Sequence, residues 1–236
     1  MADGIYVGMS AAMGRAAQLD AIADNLANIE SPGFKGSRPA FSSFLPPGGP
    51  TDKVLSGVVA TTIDMRPGTT ETTDSLTDVI PDGNLMLAVQ MPGGKTAYTR
   101  NGHIETGPDG VLQIAGLPLL DASGEPLVVP EDSEVTVEST GEVKAGTQVV
   151  GSLSLWSSQG PMDRVGSSLM MPSTGSQMNQ VTDGSVRVGE LELGNVTALE
   201  STVQMIGAQR NYELAMQAIQ TYRQLDQRVV DVGRVR

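Results

Sequence analysis

Cysteine is absent from the chain and histidine occurs once, as His103. Without cysteine there are no disulfides, no thiolate metal sites and no cysteine nucleophile, and the redox compartment stays open. Aromatic residues make up only 3% of the 236 positions: Trp156, four tyrosines and three phenylalanines. Large rings dominate core and interface energetics, so stability has to come from aliphatic packing or from burial against other chains. Long apolar runs are missing too. None approaches the roughly 20 residues of a membrane span. The opening MADGIYVGMSAAMGRAAQLD lacks the basic and apolar regions of a secretory signal, since Asp3, Arg15 and Asp20 interrupt it.

What charge there is leans acidic, with a net −12 at neutral pH, and phosphate binding needs a basic surface. Nucleic acid is therefore excluded as a natural partner. Residues 1–50 carry three basic and four acidic side chains, residues 51–190 seven and 18, and residues 191–236 five and five. The acidity belongs to the middle. Two nearly neutral ends can pack against copies of themselves without self-repulsion.

Both ends read as helices. Ile5, Met9, Ala12, Ala16, Leu19, Ala23 and Leu26 step by four and three residues, a heptad seam that predicts a helix from Ile5 to Ile29. Ser31-Pro32-Gly33 stops it, because a residue before proline is pushed out of the α region. At the other end Leu199, Val203, Ile206, Arg210, Leu214, Ala218, Tyr222, Leu225, Val229 and Val232 form a stripe with a mean step of about 3.67 residues, an eleven-residue repeat. A helix from Val196 to Val232 would run about 55 Å. Glutamines at 204, 209, 217, 220, 224 and 227 cover its other faces.

Between the ends, short apolar or alternating runs such as NLMLAVQM, KTAYTR, EVTVES and QVVGSLSLW are separated by Gly93-Gly94, Asn101-Gly102, Asp109-Gly110 and Ser123-Gly124. That spacing predicts an antiparallel β domain over residues 76–165. Residues 31–75, rich in Pro, Gly, Ser and Thr, read as an extended connector with room for some strand, and residues 166–194 as a second extended connector. The fold class is α+β, with terminal helices (1–30 with 195–236) packed together and an all-β middle.

Catalytic chemistry finds little to work with. Gly93-Gly94-Lys95-Thr96 resembles the end of a phosphate loop, but the required glycine five positions before Gly94 is Val89, and the segment joins strands. His103-Ile104-Glu105 lacks the cysteine ligands of zinc deaminases. No nucleophile elbow accompanies the lone histidine. Glu131 and Asp132 read as a solvated acidic loop, and Asn195-Val196-Thr197 matches a glycosylation acceptor by a pattern short enough to arise by chance. The sequence predicts no enzyme, no cofactor and no metal site.

One puzzle is the stretch NLANIESPGFKG, Asn25 to Gly36. It places asparagines near a helix end, where interiors do not favour them. The stretch resembles the N-terminal signature of bacterial flagellar rod and hook proteins. LAVQMPGGKTAYTRNGHIETGPDGVLQIAGLPLL is similar to the central block of that family, and GNVTALESTVQMIGAQRNYELAMQAIQ to its C-terminal helix. GIYVGMSAAM and the modest length are most similar to the proximal-rod branch, with the distal-rod branch the close alternative. One departure is PDGNLMLAVQ, with leucine and methionine where the family places aromatics. The resemblance implies a structural subunit of an axial tube in the basal body, spanning the periplasm. It also implies export without a cleaved signal peptide, with the flagellar export apparatus, copies of the chain and other rod proteins as partners and no small-molecule substrate. The interface residues it implies are Ile5, Met9, Leu19, Ile22, Asn25, Leu26, Asn28, Pro32, Gly33 and Phe34 on the first arm. On the second they are Asn195, Val196, Leu199, Val203, Ile206, Gln209, Arg210, Tyr212, Leu214, Tyr222, Leu225 and Val229.

Overall fold

The computed structural model describes residues 2–44, 55–130 and 133–234; Glu131 and Asp132 lie outside that set. The first helix, α1, spans Ala2–Ala27 and the last, α2, spans Ala198–Arg234, each within two or three residues of the extent predicted from its periodicity. At the start of α2 the Thr197 hydroxyl accepts from the Glu200 amide at 3.3 Å. Thr197 with Glu200 three positions on is the residue pattern of a capping box, and Glu200 also places an anion in the first turn.

The chain divides into two compact units. One is Met1–Ala27 with Ser37–Thr62 and Thr197–Arg236; the other is Asn28–Gly36 with Ile63–Val196. In the first, α1 and α2 pack antiparallel, Gly4 facing Tyr222 and Gly8 facing Ile219. A Cβ on Gly4 would sit 2.6 Å from the Tyr222 ring, and one on Gly8 2.8 Å from Ile219. Glycine lets the helices approach where any side chain would wedge them apart. Two strands, β1 (Ser37–Phe44) and β2 (Leu55–Ile63), pair as a two-stranded sheet, and β1 packs on α1. Arg15 of α1 lies over the Phe41 ring at 5.4 Å.

The second unit is all β. Its largest sheet runs Met162–Arg164, Leu169–Pro172, Thr96–Thr99, Met86–Gln90, Leu155–Gln159, Gln177–Gln180, every neighbour antiparallel. The central strand explains why NLMLAVQM does not alternate. Leu87 and Val89 face the main core with Leu112, Ile114, Leu119 and Val143. Met86 and Ala88 face a second cluster with Tyr98, Met162 and Met170. A strand covered on both faces reads as a continuous apolar run. Trp156 packs edge-on against Tyr98, centroids 5.6 Å apart.

Three expectations need correction. Strands occupy much of the two stretches expected to be extended connectors: β1, β2 and Thr70–Thr72 in 31–75, and Leu169–Pro172, Gln177–Gln180, Val186–Val188 and Glu190–Glu192 in 166–194. Most are three or four residues long and pair with distant partners, as Glu190–Glu192 does with Thr70–Thr72, so no local alternation announces them. Asn101-Gly102 makes no hairpin turn. Both residues are buried, and a Cβ on Gly102 would meet the Val79 carbonyl oxygen at 1.6 Å, so this glycine serves a close backbone approach. The heptad seam of α1 is only partly inward: Ala12 is buried and Ile5, Ala16, Leu19 and Leu26 are half-buried, but Met9 and Ala23 are exposed, while the buried Ile22 lies outside the seam.

Candidate functional site

Two rows of residues run along α2. Ser201, Met205, Ala208, Tyr212, Ala215 and Ile219 step by four and three, and this row turns inward: Ser201, Ala208 and Ile219 are buried and the others half-buried. The stripe predicted from the sequence lies elsewhere. Leu199, Val203, Ile206, Leu214 and Leu225 are 78, 62, 50, 61 and 45% exposed. From Leu199 to Arg210 each stripe residue sits two positions before its inward counterpart. At about 100° per residue that is close to the opposite side. The stripe drifts toward the inner row and meets it at Tyr222, which reaches Gly4 of α1 while staying 43% exposed. Arg210, within the stripe, and Gln209 beside it are exposed; the side chain of Val229 lies outside the described set.

On α1, Ile22 is buried, Ile5, Leu19 and Leu26 are half-buried, and Tyr6 and Met13 are 65 and 71% exposed. Met9, Met13, Met216 and Ile219 line a shallow groove of about 240 Å³ with Gln220 and Arg223 at its edge. The sequence carried a signal for the close helix contact in the four-residue spacing of Gly4, Gly8 and Ala12.

Asn25 does its work inside the chain. Its Nδ2 donates to the Ser37 carbonyl at 2.9 Å, and its Oδ1 accepts from the Ser37 amide at 2.8 Å. The carboxamide thereby takes the place of a neighbouring strand at the start of β1. Asn25 is 6% exposed, so a pair of satisfied backbone groups explains a residue that helix propensity disfavours. Asn28 ends its helix locally, its carbonyl accepting from the Ser31 amide at 3.1 Å.

The Ser-Pro-Gly-Phe-Lys turn builds a buried hub within the β unit. Pro32 is half-buried. Gly33 adopts a φ of +67° with its amide donating to the Glu192 carbonyl at 2.6 Å, and a Cβ there would lie 2.1 Å from the Asn101 nitrogen. Phe34 is fully buried under the Arg164 guanidinium, 4.2 Å from its ring centroid. Glu192, 1% exposed, collects Lys35 Nζ at 2.5 Å, Arg100 Nε at 2.7 Å, Arg100 Nη2 at 2.5 Å and the Gly68 amide at 2.9 Å. Burial by itself would raise the Glu192 carboxyl, but the hydrogen bonds from Lys35 and Gly68 and the Arg100 charge hold it below the ordinary carboxylate value. Lys35 is lowered by burial, which Glu192 only partly offsets. Asn195 completes the hub, accepting from the Gly36 amide at 2.7 Å and donating to the Asp64 carbonyl at 2.7 Å; Val196 beside it is half-buried. Sequence reasoning singled out Pro32, Gly33, Phe34 and Asn195 but missed Lys35, Arg100 and Glu192, because a buried ion cluster assembled from three distant segments leaves no local pattern. Among the described residues no group of acidic and histidine side chains is arranged to hold a metal.

These arrangements fall on the segments that known proteins share. Residues 5–35 match the family profile described as "Flagella basal body rod protein" and residues 187–232 "Flagellar basal body rod FlgEFG protein C-terminal". Residues 81–145 match "Flagellar hook protein FlgE/F/G D1 domain". The flagellar basal-body rod protein FlgF of Salmonella typhimurium is 33% identical over 91% of this chain and 92% of its own length. FlgF of Caulobacter vibrioides is 30% identical over 98% of both, and FlgG of Bacillus subtilis 28% over 98% of both. The chain belongs to the flagellar basal-body rod protein family. Its role is that of a structural rod subunit of the bacterial flagellum, and the relatives' names are those of rod proteins rather than of enzymes. The N-terminal rod match holds α1 and the turn through Lys35; the C-terminal match holds Glu192, Asn195 and α2 as far as residue 232. Both family segments thus contribute to the helix pair and, separately, to the hub of the β unit.

Proposed function

We propose that this rod subunit assembles through the outward faces of its two terminal helices, packing against copies of itself and against other rod proteins in the axial tube around the export channel. The acidic surface of the β unit keeps it soluble. The observation that carries the reading is the α2 row, where Leu199, Val203, Ile206 and Leu214 are at least half exposed. Contiguous apolar exposure of this kind marks an interaction surface. A mean step of about 3.67 residues suits nearly straight helices set side by side. The chain leaves the cell interior through the flagellar export apparatus without a cleaved signal peptide, and no catalytic step, nucleic acid or small-molecule substrate enters its role. The proximal position in the rod is the first reading and the distal position the alternative, with FlgF relatives 28–33% identical and FlgG relatives 28–30%.

The test is the double substitution Val203→Asp with Ile206→Asp, introduced in cells whose own copy is deleted. Swimming and incorporation into isolated basal bodies should be lost, while the purified variant keeps the helical content and melting of the parent, because both side chains face solvent in the single chain. Full motility with normal incorporation would overturn the reading.

A further inference from the structure

Three segments of the β unit meet at the hub, and none of them contributes a buried residue to either apolar cluster. Residues 33–36 come from the turn after α1, residues 64–72 follow β2, and residues 190–195 lead toward α2. Their backbones are tied to one another. Gly33 donates to the Glu192 carbonyl at 2.6 Å, Asp64 to Gly36 at 2.8 Å, Leu193 to Thr69 at 2.8 Å and Asn195 to Phe34 at 3.2 Å. Thr70–Thr72 and Glu190–Glu192 pair as a two-stranded sheet of their own, outside the six-stranded one.

What holds these segments differs from what holds the rest of the unit. Their one fully buried large apolar side chain, Phe34, lies under Arg164 rather than in a cluster, and only the half-buried Met65 leans on one. Thr70, Glu71 and Thr72 are exposed, and an isolated two-stranded ribbon is marginal in water. The main tie is ionic: Lys35 and Arg100 on Glu192. Removing one member of such a cluster strands the others, but opening it whole returns all three charges to water, which offsets much of the attraction lost. Arg100 keeps the Gly83 and Leu85 carbonyls meanwhile. Closure joins Lys35 to Glu192 and Gly36 to Asn195, 157 and 159 positions apart. Contacts across so long a span are reached only after their loop entropy has been met, later than local ones.

We infer that residues 33–36, 64–72 and 190–195 form a latch that opens and closes as one piece while the six-stranded sheet and both apolar clusters stay folded. Closed, it sets the chain's entry into the β unit beside its exit, with the Gly36 amide 2.7 Å from Asn195 Oδ1. Open, the unit keeps its core and the two ends part. Closure waits for residue 195 and so completes the unit last. The latch is independent of how the helices assemble.

Amide hydrogen exchange of the full-length protein, resolved by residue, tests this. The amides of Gly33, Asp64, Gly68, Leu193 and Asn195 should share one opening free energy and exchange roughly tenfold or more faster than those of Leu112, Leu119 and Leu127, whose bonds lie in the core. Latch amides as slow as the core ones would overturn the inference, because the unit would then open only as a whole. A staple adds the second arm. Bonds from Leu193 to Thr69 and from Thr73 to Gly189 make positions 72 and 190 a non-hydrogen-bonded pair, with Cα atoms about 4.5 Å apart and within disulfide reach. The chain has no cysteine of its own. In the double variant Thr72→Cys with Glu190→Cys, oxidation should slow exchange at Gly33 and Asn195, outside the ribbon, about tenfold, and reduction should restore it. Slowing confined to residues 70–72 and 190–192 would mean that the segments open separately, and the single latch falls. Should the double variant not fold, the comparison within the parent protein decides alone.

Discussion

Replacing Glu192 by glutamine tests the hub of the β unit directly. The carboxylate is 1% exposed and holds two cations whose side chains are 2 and 4% exposed. Removing one member of a buried ion cluster costs about 3–5 kcal/mol, mostly because the remaining charges stay buried without their partner. Here the loss is tempered. Arg100 keeps the Gly83 and Leu85 carbonyls at 2.7 Å each, and Lys35 keeps the Arg66 carbonyl at 2.8 Å. The low end, about 3 kcal/mol, is therefore expected, a large share of the roughly 5–15 kcal/mol that holds a domain folded. For a unit of this size the melting temperature should fall by roughly 10 °C. Trp156, the one tryptophan, sits in the same unit, so its fluorescence follows the β unit alone during urea and thermal unfolding. The folded Glu192 pKa lies below its unfolded value, so its contribution is present above the unfolded carboxyl value near 4.3 and lost as pH falls toward the folded one. Parent and variant curves should therefore converge in acid. A midpoint at neutral pH that moves no more than it does for the exposed control Glu125→Gln would refute the assignment of Glu192 as the keystone.

Other substitutions separate the remaining claims. Asn25→Leu removes both hydrogen bonds to the Ser37 backbone and should cost about 1–3 kcal/mol for each buried group left unpaired, seen as a lower helical melting midpoint and faster proteolysis within β1; an unchanged midpoint would show that the asparagine serves another purpose. Gly33→Ala forces a side chain into a positive φ and against the Asn101 backbone, so the Trp156-monitored transition should collapse or the chain fail to accumulate in soluble form, and a variant as stable as the parent would contradict this packing. His103 accepts or donates to Asp78 at 2.7 Å and Glu105 at 3.2 Å, and the Asp78 hydrogen bond raises its pKa against the lowering effect of burial. A raised folded pKa gives stability that is fully present below about 6.5 and lost as pH rises through the folded value. His103→Ala should accordingly lower the melting temperature most near pH 5.5 and hardly at all near pH 9, and a difference that grows with pH would refute the pairing.

The two helices were legible because an aliphatic stripe repeated over many turns outweighs everything local, and the end of the first was marked by Ser31-Pro32-Gly33. The alternation-free run around Leu87 announced a buried strand for a similar reason. The strands at 70–72 and 190–192 were not legible. Three residues carry no period, and each exists only because the other pairs with it across more than a hundred positions. The glutamate that ends the later strand has the same character. Nothing in Leu191-Glu192-Leu193 says that a carboxylate will be buried; that follows from where Lys35 and Arg100 come to lie. Asn25 stood out as an anomaly, yet its partner could be found only once β1 was known to start at Ser37.

The stripe of α2 placed the helix, but most of it lies away from the face that packs on α1. A single period read along a sequence gives one face, whereas this helix has two. The inner row steps as a heptad and alternates the small Ser201, Ala208 and Ala215 with Met205, Tyr212 and Ile219, so its hydropathy pattern is diluted while the small residues let α1 approach closely. The outer row steps by about 3.67 residues and holds the large aliphatic side chains. A monomer that meant to keep its helix pair to itself would place Leu199, Val203 and Ile206 inside and the small residues out. Here Leu199, Val203 and Ile206 lie outside, so under the proposed assembly side chains worth about 1.5–3 kcal/mol each when fully covered remain in water until another chain covers them. The free energy of covering them is then available to intermolecular contact. The inner row of Ser201, Ala208 and Ile219 then has only to hold the two helices antiparallel.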